Sequence, residues 1–368
     1  MDKVTNEIYD ILKALCAIPA PSHYEDERAL WCKNYLLEAG FEKVYIDEAK
    51  NTICEYGCEG SNEITVFAAH TDTVFPDTTP MPFYEKDGKA YNPGIGDDTA
   101  SVAVLLYAAK KILEEGIGSK NGVIFVLNSC EEGLGNLKGT RALFDSYNGR
   151  IKRFITFDSN YDTFVTSCVG SHRYLVEVTT AGGHSFNAFG NKNAIAALSE
   201  IVSDIYKIDV PKNENEKTTY NVGTIEGGTS VNTIAQSAKM LCEYRSSDVE
   251  CLKIMKEKFL GIFKKHNTDE VNVKVTVVGE RPCAEGVDQN ELDKLIAECD
   301  ELYKGILGVE IVKKSGSTDC NIPLSLGIPA IAVGSYYGEK THTREEWIEI
   351  ESLGKGYELA LALIKKYL

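Results

Sequence analysis

Several features are missing from this sequence, and each absence removes a class of function. No apolar stretch approaches the roughly 20 residues of a membrane-spanning helix. The N-terminus, MDKVTNEIYDILKALCAIPAPS, carries acids inside an amphipathic pattern, unlike a signal peptide, so export is not expected. Positive charge is scarce: 39 Lys and Arg stand against 55 Asp and Glu, a net charge of −16. That balance argues against nucleic acid or an anionic membrane as partner. No P-loop is present, and SGSTD (315–319) lacks the G-x-S-x-G spacing of a serine hydrolase elbow. GLGNLKG (133–139) is spaced G-x-G-x-x-x-G and follows two glutamates. Their charge is unfavourable beside a pyrophosphate, which counts against a dinucleotide oxidoreductase. Internal repeats and low-complexity tracts are also missing. The 11 cysteines are odd in number and scattered. The closest pair, Cys54 and Cys58 in CEYGC, has no second half that would complete a zinc knuckle. Reduced, mostly core thiols in a cytoplasmic protein are expected.

What is present suits two domains. A chain of 368 residues with 43% hydrophobic and 26% charged residues has ample length for a core. Residues 3–16 and 25–39 read as amphipathic helices separated by IPAPS. Apolar runs at 64–69, 122–129 and 153–158 read as buried strands, with a helix over 99–115 capped near Asp98 or Thr99. Strand–helix–strand alternation predicts an α/β domain with a mainly parallel sheet and helices on both faces. From 169 to 279 the order becomes β-α-β-β-α-β, a ferredoxin-like α+β signature. After GERPCAEG a helix over 289–304 and another near 352–367 return to the α/β texture. If His342 shares a site with His70, residues 280–368 fold back onto residues 1–168, and 169–279 is an insertion.

Acids and imidazoles recur at the ends of apolar runs. His70 and Asp72 close ITVFAAHTD, Asp97 lies in GIGDDTAS, Glu131 and Glu132 follow VIFVLNSC, Asp158 ends FITFD, and His342 follows IPAIAVGSYYG. Open α/β sheets bind ligands at the carboxyl ends of their strands. Two histidines with three or more carboxylates suit hydrolytic zinc better than a structural thiolate site, and cobalt or manganese would fit the same donors. On extended chain Asp72 points the same way as His70. It can ligate alongside His70 or, the favoured role, accept the imidazole's other N–H. Glu131 and Glu132 face opposite ways, so one can bind metal while the other shuttles protons. Asp97 is the better ligand of the Asp97–Asp98 pair and can bridge two cations, whereas Asp98 can be a simple helix cap. Asp158 reads as a ligand or as the polar start of a loop.

These motifs together resemble the M20 family of dinuclear zinc peptidases and amidohydrolases, over essentially the whole chain. HTDTV (70–74), GIGDD (94–98), EEG (131–133), Asp158, STD (317–319) and HTREE (342–346) carry the likeness. The resemblance implies that Asp97 bridges two zinc ions, with His70 and Asp158 completing one site and Glu132 and His342 the other. It implies Glu131 as general base, Asp72 as the residue that orients His70, and an inserted domain serving as lid and homodimer interface. His184 in AGGHS is then an oxyanion-stabilising residue, often placed in the partner subunit's site. Arg245 in CEYRSS and Asn232 in GGTSVNTI resemble substrate-binding residues. The chain departs from the family pattern with Thr99 where Lys is common and NTIA where N-x-I-P is common, and neither change removes a ligand. STDCNIPLSLGIPA and EEGLGNLKG look most like tripeptidase T-type members. The expected activity is therefore exopeptidase cleavage of small peptides. A deacylase of N-acyl amino acids is the rival, and a non-catalytic metal-binding protein of the same fold is a third reading that an intact Glu131 disfavours.

Overall fold

The computed structural model describes residues 2–213 and 217–368. The chain divides into two compact units. One takes the chain up to Cys168 and resumes over Ala284–Leu368, and the other is Val169–Cys283.

The larger unit is built on an eight-stranded sheet in the order Val44–Ile46, Thr52–Tyr56, Val123–Asn128, Ile64–His70, Ile151–Phe157, Ala330–Val333, Thr163–Cys168, Val312–Gly316. The four strands from Val123–Asn128 to Ala330–Val333 run parallel. Three of them are buried along their whole length and Ile151–Phe157 from Phe154 onward, because both faces of a parallel sheet are covered. Successive side chains serve opposite layers. Phe67, Phe125, Phe157 and Val333 face a core shared with Leu12, Leu105 and Leu359 of the helices Lys3–Cys16, Ser101–Glu114 and Ser352–Tyr367. Val66, Ile124, Phe154 and Ala332 face a second core with Leu143 of Lys138–Ser146 and Ile322 of Asn321–Ser325. The expected helices on both faces are found.

Two local expectations differ. The helix expected over 99–115 begins at Ser101, and no side chain caps it. Asp98 instead accepts the His70 backbone N–H at 3.0 Å, and the Thr99 hydroxyl donates to the Gly94 carbonyl at 2.6 Å. The cause is an irregular turn before the helix, in which Asp97 has φ −95° and ψ 95°. The short antiparallel strands Val44–Ile46, at the edge, and Thr52–Tyr56, beside it, were not anticipated, because such short segments carry too little periodicity.

The smaller unit has the ferredoxin-like arrangement. Its four antiparallel strands lie in the order Thr218–Gly227, Ser237–Ser246, Gly170–Thr180, Val271–Arg281. Tyr174, Val176, Met240 and Tyr244 point to one face and pack with Leu198 and Ile201 of the helix Ala194–Ile205 and Met255 and Phe259 of Val249–His266. No helix among the described residues is long and apolar enough to cross a membrane.

Phe67 sits at the sheet centre, within the core shared with the helices Lys3–Cys16, Ser101–Glu114 and Ser352–Tyr367. Its ring stacks on Phe125 and Phe157, each at 6.3 Å, and it is fully buried. Phe67→Ala is expected to cost about 3–5 kcal/mol, read as a lowered denaturant midpoint with an unchanged slope. A loss below about 1 kcal/mol, less than one buried aromatic should contribute, would mean that this contact is not central to the core.

Candidate metal centre

The four parallel strands bring their carboxyl ends to one edge. His70 is the last residue of its strand, and Asn128 ends the neighbouring strand just before Glu131 and Glu132. Asp158 follows Phe157, and its N–H donates to Val333 of the next strand at 2.9 Å. The chain beyond Val333 leads to His342. At this edge three groups of donor atoms lie within 4.8 Å of one another: His70–Asp97–Asp158, Asp97–Glu132–His342, and His70–Glu131–Glu132. Asp97 is common to two of them. Its Oδ1 is 3.0 Å from His70 Nε2 and its Oδ2 is 3.1 Å from His342 Nε2. His342 Nε2 lies 3.0 Å from Glu132 Oε1.

A buried polar frame holds these side chains. The His70 ring faces the Asp72 carbonyl oxygen through Nδ1 at 3.0 Å, with the Asp72 carboxylate at 3.5 Å. That carboxylate accepts the N–H groups of Glu131 at 2.9 Å and Glu132 at 3.0 Å and the Ser22 hydroxyl at 2.6 Å. Asp72 therefore fixes both the imidazole and the backbone of the glutamate pair. Arg28, buried, donates to the carbonyls of Leu15, Ile18 and Thr71 and to the Thr99 hydroxyl. Glu346, also buried, accepts three backbone N–H groups from residues 94–97. Asp319 accepts from Asn128 at 2.5 Å and from Thr140. Sequence reasoning assigned no role to Arg28, Glu346 or Asp319. Charged residues on helical or loop patterns read as solvated faces unless their burial is known.

Charge is concentrated here. Burial pushes Asp158 well above the usual carboxylate range, and the Asp97 carboxylate adds to it. Burial and Asp97 push Glu132 up to about 7, against the pull of His342. Asp97 is held low despite its burial, because His342 and His70 both contact it. Hydrogen bonds to Asp97 and Glu132 push His342 up to about 11. Burial acts to lower His70, but Asp72 and Asp97 override it and leave the ring well above its ordinary value. Four carboxylates thus share one space with two imidazoles, and a divalent cation bound there would compensate the charge these carboxylates carry when ionised. The donors are imidazole nitrogen and carboxylate oxygen, which suits zinc, cobalt or manganese. The residues present therefore fit divalent cations, and Asp97 belongs to two of the three donor groups.

The remaining candidates belong to the smaller unit. Gly183–His184 pairs with Thr233–Ile234, and the Ser185 N–H donates to the Asn232 carbonyl at 3.0 Å, so His184 and Asn232 are neighbours. Arg245 lies near the far end of the strand Ser237–Ser246, on the order of 25 Å away at about 3.3 Å per residue. Its guanidinium is paired with Glu243 at 2.8 and 3.1 Å. The three residues of the smaller unit expected at a substrate thus fall into two separate groups.

A family model described as peptidase family M20/M25/M40 matches residues 66–366. Carboxypeptidase G2 of Pseudomonas sp. (strain RS-16) is 27% identical over 310 residues, covering 80% of this chain and 72% of that protein. Succinyl-diaminopimelate desuccinylase of Corynebacterium glutamicum is 23% identical over 365 residues, covering 97% of this chain and 95% of that protein. The crystal structure of a tripeptidase from Staphylococcus aureus has the same fold, with a TM-score of 0.78 over 99% of this chain and 98% of that chain at 23% identity. With the model match spanning most of its length and the motif residues gathered at one sheet edge, the chain belongs to peptidase family M20/M25/M40 and is a hydrolase.

Proposed function

We propose that the protein is a cytoplasmic exopeptidase of the tripeptidase T type, cleaving small peptides with two zinc ions and Glu131 as general base. The observation that carries this reading is the placement of Asp97, with one carboxylate oxygen on each of two imidazoles. A carboxylate so placed suits a bridging ligand. His70 and Asp158 then complete one metal site, and Glu132 and His342 the other. When bound, such ions polarise a carbonyl and supply a nucleophilic water at neutral pH. Glu131 lies in the buried group with His70 and Glu132, where it can take the proton from attacking water and return it to the leaving amine. Asp72 holds His70 and the Glu131–Glu132 backbone in register.

The smaller unit is assigned as lid and dimerisation domain. His184 is assigned to the oxyanion, Arg245 to a substrate carboxylate and Asn232 to substrate positioning. The separation of His184 and Asn232 from Arg245 supports a homodimer, because one subunit cannot present both groups to one small substrate. The loop around His184 also exposes Phe186 and Phe189, at 84% and 91%, apolar surface that suits burial against a partner copy. All eleven cysteines are free and buried, as suits a reducing compartment.

A deacylase of N-acyl amino acids is the second reading, favoured by the likeness to the desuccinylase. It uses the same centre and differs in what the substrate presents to the lid. A non-catalytic metal-binding role is disfavoured, since binding needs ligands but no Glu131.

Turnover of di- and tripeptides, N-acetyl and N-succinyl amino acids and folyl-glutamate, with a chelator control, tests this. Chelator-sensitive release of an N-terminal residue from tripeptides is expected. Hydrolysis confined to acylated amino acids would establish the deacylase instead. Glu131→Ala should lose on the order of 10²–10⁴-fold in kcat with near-normal metal content by elemental analysis. Full activity in that variant would remove Glu131 from the mechanism. His342→Ala should lower bound metal itself. Arg245→Ala should raise KM more than it lowers kcat for substrates with a free carboxylate, and an unchanged KM would remove that assignment.

A further inference from the structure

We propose that Glu346 is a positioning residue for Asp97, holding the loop that carries the shared carboxylate against the segment that carries His342. The inference rests on the reading of this cluster as a metal centre. Glu346 is 1% exposed and uses both carboxylate oxygens. Oε2 accepts the Gly94 N–H at 2.7 Å, and Oε1 accepts those of Gly96 at 3.0 Å and Asp97 at 2.9 Å. These are three of the four amides from Gly94 to Asp97, the fourth, that of Ile95, donating to the Asn92 carbonyl at 3.0 Å, so the carboxylate supplies the acceptors the irregular turn otherwise lacks. The turn is shaped for it. A Cβ on Gly96 would come within 2.9 Å of Glu346 Oε1 and 2.8 Å of the Tyr336 ring, so a side chain at this position would push the carboxylate away.

Glu346 is tied at its other end as well. Its own carbonyl accepts the Asn92 N–H at 3.3 Å, just before the same loop, and its N–H donates to the Thr343 carbonyl at 3.3 Å in the turn next to His342. One residue therefore joins two segments 249 positions apart. The side chains those segments carry meet at Asp97 Oδ2 and His342 Nε2, 3.1 Å apart. Ligands that arrive from distant parts of a chain bind tightly only if their backbones are held to a fraction of an ångström. Glu346 touches no reacting group in this scheme. It acts through Asp97.

Glu346→Gln keeps the size of the side chain and exchanges one acceptor oxygen for an NH2 group, which must then face a backbone N–H. The test titrates cobalt(II) into the metal-free full-length protein against a chromophoric chelator, and follows the visible cobalt spectrum, far-UV circular dichroism and Tm. Partners of metal ligands typically change affinity by about 10–100-fold. A loss in that range is expected for Glu346→Gln, with an altered cobalt spectrum, native circular dichroism, and kcat partly restored by excess metal at unchanged KM. A merely structural role would lower Tm and leave the affinity and spectrum of the folded protein alone, and that result would overturn the proposal. If Glu346→Gln does not fold, Gly96→Ala reads the same quantity by displacing the carboxylate without removing it, and wild-type affinity in that folded variant would equally overturn it. Wild-type protein that binds no cobalt would instead bring down the metal-centre reading itself, so the two failures are distinguishable.

Discussion

The burial of several negative charges in one place is the constraint on which the rest of this structure depends. Asp97, Glu131, Glu132 and Asp158 converge at one edge of a sheet whose strands are apolar on both faces. Each uncompensated ion in such a position costs several kcal/mol. Two imidazoles offset only part of that cost, and the directions in which these groups are pushed reflect it. Asp158 and Glu132 are held up as acids, while His70 and His342 are held up as cations. A core that holds such a cluster must be stiff, and the two hydrophobic layers around Phe67 and Val66 supply that stiffness.

The frame around the cluster follows from the same constraint. Side chains that bind a cation must not relax towards one another or towards water. Their backbones are therefore tied by buried polar groups that reach across the chain. Asp72 binds the amides of Glu131 and Glu132, Glu346 binds those of Gly94, Gly96 and Asp97, Asp98 binds that of His70, and Arg28 ties the carbonyls of Leu15, Ile18 and Thr71. Two carboxylates that look interchangeable in GIGDD thus have different tasks. Asp97 faces the imidazoles and Asp98 faces the backbone. The smaller unit has an ordinary apolar core, with His184 on a separate two-stranded sheet and Arg245 near the end of a strand of the four-stranded one.

Much of this was legible in the sequence, for reasons that differ from element to element. The parallel core strands announced themselves because a strand covered on both faces must be apolar throughout, and ITVFAAH and VIFVLN contain almost nothing else. The ferredoxin-like unit was readable because EVNVKVTVVGE and HRYLVEVTTAG alternate, as strands with one packed face do. His70, Asp97, Glu131, Glu132, Asp158 and His342 stood out because acids and imidazoles beyond apolar runs have few structural uses. Val44–Ile46 and Thr52–Tyr56 were too short to show a period. The turn before Ser101 was read as a capped helix start because Asp and Thr are good caps in isolation.

The sequence by itself determined the class of fold, the family and the list of ligand types, since these depend on local periodicity and residue chemistry. Only the tertiary structure decided which oxygen of Asp97 faces which imidazole, that Asp98 serves the His70 backbone, and that Glu346 and Arg28 are internal struts. Those facts depend on contacts between residues tens to hundreds of positions apart. A carboxylate that will be buried against three amides is written with the same letter as one left in water.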